Sequence, residues 1–276
     1  MKSKAPIAFL ACQLLLAGLP SSAQGLARDE VVSEVMRATG IASGCSSLPV
    51  YIAGLFEQQK AQFGNEKYSV LIGILSDSFS GTNMQRYIRD ELAGKYDEAL
   101  CKSILETYKN QLFIDITKRE NDTLNIENEK MVAQFDYSAI DADRDKILDE
   151  FIDATKMIEL EESMVIGALD VYMKTYNLFL PKGGKLDPDM SRQILDQTGK
   201  ALRSDENRMN TKKRMAQTYE SFTNEQLEEY FAFYRSEAGM WLFANYMKGF
   251  QKALEISMKD AAGRIISEFN LSEQNT

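Results

Sequence analysis

Apolar residues recur at intervals of three and four along almost the whole chain. Nowhere do Val, Ile and Thr alternate with polar residues between Asn-Gly turns. A period near 3.6 gathers such residues on one face of an α-helix, whereas a half-buried strand needs a period of two. Proline, which removes the backbone donor a helix interior requires, occurs only five times in 276 residues, so little interrupts that pattern. The chain therefore reads as all-α.

The most decisively written stretch is FTNEQLEEYFAFYRSEAG, Phe222 to Gly239. Thr223 stands three residues before Gln226, the spacing of a capping box, and Phe222 and Leu227 are placed as a hydrophobic staple around it. Leu227, Tyr230, Phe231 and Tyr234 then make one apolar face. Ser236 is expected to cap a second helix carrying Met240, Trp241, Phe243, Ala244, Met247 and Phe250, with Gly239 allowing close packing at the corner. Amphipathic periodicity accounts for these aromatics as core, without a cofactor.

At the other end Lys2 and Lys4 precede the apolar run APIAFLACQLLLAGLP, and Ser21-Ser22-Ala23 offers small residues for cleavage, which is the pattern of a secretory signal peptide. Cys12, in a FLAC tetrapeptide similar to a lipoprotein box, lies inside an apolar run that continues past it, so it is expected to leave with the signal. The expected mature chain begins near Gln24. It contains no uninterrupted apolar stretch of membrane-spanning length, so no stable membrane insertion is expected after cleavage. Loss of Lys2 and Lys4 takes the formal charge from −9 to −11. So acidic a surface repels nucleic acid and anionic lipid.

Composition also limits chemistry. There is no histidine, which removes Ser-His and Cys-His pairs and the commonest transition-metal ligand. No Ser-x-x-Lys occurs, and Gly183-Gly184-Lys185 lacks the flanking residues of a phosphate loop and reads as a turn. Asp141-x-Asp143-x-Asp145 imitates the start of a calcium loop. Lys146 stands where the turn needs Gly, however, and Ile152 where the bidentate Glu belongs, so a capped helix N-terminus is expected and no metal site. Carboxylate pairs such as Glu161-Glu162 and Glu228-Glu229 remain, and are expected to face water. No cofactor is expected.

Two segments align. Asp29 to Thr39, DEVVSEVMRAT, matches Asp145 to Thr155, DKILDEFIDAT, at an offset of 116, and Tyr96 to Asn110 matches Phe222 to Ser236 at an offset of 126. The second match places Tyr108 on Tyr234 and Lys109 on Arg235. The extra ten residues fit the Pro- and Gly-containing LPKGGKLDPD, Leu180 to Asp189. The expected organisation is two related helical bundles in tandem: a signal at 1–23, a first helical repeat at 24–117, a polar linker at 118–140 and a second repeat at 141–276. Cys45 and Cys101, the two cysteines left after signal removal, are expected to form a disulfide in an oxidising compartment.

The capped helix that ends in an aromatic, Tyr, a base and Ser, with Gly soon after, resembles the C-terminal signature of the uncharacterised bacterial domain-of-unknown-function family 2059. The resemblance covers about Asp145 to Phe250, and departs from the family where Glu237 replaces a common Pro and Trp241-Leu242 replace basic residues. It implies a small helical domain in the periplasm or secreted from a Gram-negative bacterium, with no assigned activity and no catalytic residue to carry over.

The functional expectation is a non-catalytic binding or interaction module of the envelope, its partner a protein or small ligand. Lys109 and Arg235 are the candidate surface recognition residues, since either base could meet an anionic group. Each could instead serve the carbonyls at its own helix end. The alternatives are a carrier holding an apolar ligand between the bundles, which needs a cavity, and, as the weakest, a carboxylate-dependent enzyme.

Overall fold

The computed structural model describes residues 28–46, 48–57, 60–123, 135–180 and 184–269. The expected signal at 1–23 lies outside the described residues. The fold is all-α, and among the described residues there is no strand. In the first segment α1 (Arg28–Ala38), α2 (Ile41–Gly44), α3 (Leu48–Phe56), α4 (Lys60–Phe63), α5 (Asn65–Ser78), α6 (Gly81–Gly94), α7 (Glu98–Thr107) and α8 (Gln111–Thr123) follow in order. After a 3-10 turn at Tyr137–Ala139 come α9 (Ala142–Ala154), α10 (Met157–Phe179), α11 (Pro188–Leu202), α12 (Asp205–Thr218), α13 (Asn224–Arg235) and α14 (Glu237–Glu268). Helix α8 takes in 118–123, so the start of the polar interval expected as linker is helical.

Short polar side chains start most of the long helices, because each can accept from an otherwise orphaned backbone N–H. Ser80, Asp97, Asp141, Asp187, Ser204 and Ser236 each do so. Thr223 and Gln226 form the complete reciprocal capping box. Ser236 then closes α13 and opens α14 within one residue, accepting from Gly239 N at 3.1 Å. That corner requires glycine, since a Cβ at Gly239 would lie 2.1 Å from the Phe233 carbonyl oxygen.

Buried side chains from both segments form one continuous core cluster, so the halves do not enclose separate cores. The cause is α14, which leaves its own segment and lies mainly along α6, touching α5 and α7 on the way. The two backbones come so close that a Cβ at Gly249 would sit 2.9 Å from Ile88 Cα. Trp241 Nε1 donates to the Lys95 carbonyl at the end of α6, 3.1 Å away.

The expected disulfide is absent: Cys45 and Cys101 are two separate buried thiols. Each is held by its own element. Cys45 Sγ donates to the Ile41 carbonyl one turn back, at 3.2 Å. Cys101, fully buried, fills the core-facing position of α7, as Leu227 does in α13. Burial pushes Cys45 up to about 11 and raises Cys101 as well, so both stay as thiols rather than reactive thiolates.

Candidate functional site

Where the two segments meet, four tyrosines and one carboxylate turn their polar ends toward each other. Tyr230 and Tyr234 are four residues apart on α13 and therefore on one face, with hydroxyls 3.0 Å apart. Tyr108, the residue that ends α7, brings its hydroxyl to 3.3 Å from that of Tyr234. Glu120 on α8 accepts from Tyr219 at 2.6 Å and from Tyr230 at 3.1 Å. Rings seal the group: Phe113 meets Tyr230, Phe233 and Tyr108 edge-on at 5.1, 5.9 and 5.2 Å, and Phe151 stacks on Phe231 at 3.7 Å. Edge-to-face contact suits the ring quadrupole, so the polar centre and its apolar wall stabilise one another.

Burial sets the chemistry of this centre. Desolvation pushes Glu120 up to about 7, although the hydrogen bonds from Tyr219 and Tyr230 pull it back down. Burial also raises Tyr219, Tyr230 and Tyr234, with the Glu120 charge adding to the effect, so the phenols remain protonated donors. The arrangement can hold one proton and release it near neutrality. Sequence reasoning missed it. Glu120 belongs to the polar interval that reads as a linker, and nothing local to Tyr219 marks it. The one signal was the alignment of Tyr108 with Tyr234, which turn out to touch.

The Asp motif serves α9. Asp141 accepts from Arg144 N at 2.8 Å, the helix cap expected of it. Lys212, almost wholly buried on α12, pairs with Asp145 and with Asp149, the latter at 2.9 Å. Tyr137 donates to Asp145 at 2.5 Å, and Arg208 ties Asp149 and Asp153. The hydrogen bond from Lys212 leads in holding Asp145 below the usual carboxylate range. Among the described residues no group of three or more His, Cys, Asp or Glu is placed to hold a metal ion.

Arg235 meets Glu150 of α9 at 3.1 Å, at the edge of a recess of about 30 Å³ lined also by Ile147, Phe151, Ala154, Glu228 and Phe231. Lys109, in the turn after α7, pairs with Glu106 of that helix at 2.7 Å. Both bases thus engage carboxylates. Glu161 and Glu162 are engaged by Arg214 and Arg203, and Glu229 accepts from Asn110 at 2.9 Å. No protein-family model, curated protein or solved structure matches the chain.

Proposed function

We propose that the chain is a secreted, non-catalytic interaction module of the bacterial envelope. One observation carries this reading: the seam where a carrier would need a chamber is filled by interlocking rings and by hydroxyls bonded to one another and to Glu120. An apolar ligand requires a cavity of several hundred Å³, which such packing does not leave. The acidic surface, the signal-like N-terminus and the corner resembling the family-2059 signature support an exported binding protein.

The surface offered for recognition is the α9–α13 face, where Arg235 is about half exposed beside its recess. An acidic group on a partner could take over the guanidinium from Glu150, because a planar fork binds any carboxylate in two-pronged fashion. Two measurements test the proposal on the exported full chain. Native mass spectrometry should give the bare polypeptide mass, and a photo-crosslinker at position 235 should give one discrete protein adduct in the envelope. A co-purifying lipid mass would replace the module by a carrier. Absence of an adduct at 235 would remove this face as the contact.

A further inference from the structure

The helices of the two segments correspond in more than length. Thr39 donates to the Val35 carbonyl and Thr155 to the Phe151 carbonyl, both at 2.8 Å and both closing the first helix of their segment. The next residue is left-handed in each case, Gly40 with φ 75° and Lys156 with φ 47°. Lys156 is the one non-glycine among the described residues to adopt that conformation, which L side chains avoid. Ser80 caps α6 through Asn83 N, and Ser204 caps α12 through Asn207 N. Both asparagines send their amides back to a carbonyl at the end of the preceding helix, Asp77 and Leu202, at 3.0 and 2.9 Å.

The packing corresponds as well. Helix α1 packs on α6 and α7, and α9 packs on α12 and α13. The last helix of each segment then reaches the other: α14 lies along α6 and touches α7 while still packing on α10 and α13 of its own segment, and α8 touches α12 and α13. Each crossing helix donates to a carbonyl at the end of the other segment's helix, Trp241 to Lys95 and Arg119 to Thr218, both at 3.1 Å. At the centre Tyr108 touches Tyr234, its own counterpart at the 126 offset. In a two-fold pairing a residue meets its own equivalent only on the axis.

From this reciprocal exchange we infer that the chain is a fused two-fold dimer: each segment is one unit, and the face each presents at the Tyr108–Tyr234 axis fits a second copy of the same unit. The covalent connection makes permanent an association the unit forms by itself. A chain with one such unit would pair with itself through this face, lending its last helix and receiving its partner's.

The test uses the full chain with a protease site placed between 123 and 135. After cutting, native mass spectrometry should show both pieces in a 1:1 complex. The melting temperature should become concentration-dependent, since a bimolecular complex obeys mass action while the uncut chain does not. Gly249→Ala, which drives a Cβ against Ile88, should raise the dissociation constant of the cut complex at least tenfold. Pieces that separate into independently folded species, that aggregate, or that melt with no concentration dependence would overturn the inference. Hydrogen exchange on the uncut chain gives a second reading: α6, α7 and α14 should lose protection together with α8, α12 and α13. A state with 135–269 protected and 28–123 exchanged would be equally fatal.

Discussion

Glu120 illustrates how one side chain can make stability depend on pH near neutrality. Its folded value of about 7 lies above the ordinary 4.5. Between those two limits the folded chain holds a proton that the unfolded chain has released. The contribution of this residue to stability therefore falls as pH rises from about 4.5 to about 7, by roughly 1–3 kcal/mol. Glu120→Gln should remove that slope and stabilise the protein by a similar amount at pH 8, read from urea midpoints at pH 5 and pH 8. Asp145 behaves in the opposite sense: held low mainly by Lys212, it stabilises above the unfolded carboxylate range and the gain is lost as acid titrates it. Lys212→Ala should cost roughly 2 kcal/mol at pH 7 and make the protein less sensitive to acid below pH 4, because the pair it breaks is partly buried. Neither Glu120 nor Lys212 was legible as special. A desolvated carboxylate or a buried lysine is made by the elements that close over it, and those come from distant parts of the chain.

Elements were legible where the chain carries its own local instructions. The capping box at Thr223, the Ser236 cap and the Gly239 corner all follow from side-chain reach and backbone crowding within a few residues, and the structure has each of them. Gly239→Ala should destabilise by roughly 3 kcal/mol, since the obstacle is the Phe233 backbone rather than a side chain that can move aside. Thr223→Ala should cost about 1 kcal/mol, with loss of the hydrogen bond that Gln226 N donates to the Thr223 hydroxyl. Thermal or urea unfolding measures both, and equal effects would contradict the distinction between a forbidden backbone contact and a lost cap. The cysteine pairing failed because each thiol is placed by its own helix, and counting cysteines says nothing about which way two helices point. The start of the polar interval at 118–123 is helical, and it reads as a linker because the outer face of α8 is polar enough to resemble a loop.

At the scale of the molecule the helical class follows from periodicity, but the path of α14 does not. Nothing in its sequence distinguishes a helix that folds back on its own bundle from one that crosses to another, since both need one apolar face. The crossing makes the core continuous, so the chain should unfold in one calorimetric transition with matching van't Hoff and calorimetric enthalpies. Two resolved transitions would mean that the segments keep separate cores after all. The contact between Trp241 and Lys95 has an optical consequence. Trp241 is the chain's single tryptophan and it sits where one segment's last helix reaches the other. Its indole emission is therefore an intrinsic probe of that junction. It should shift to the red when the crossing helix detaches, even if circular dichroism records no loss of helix.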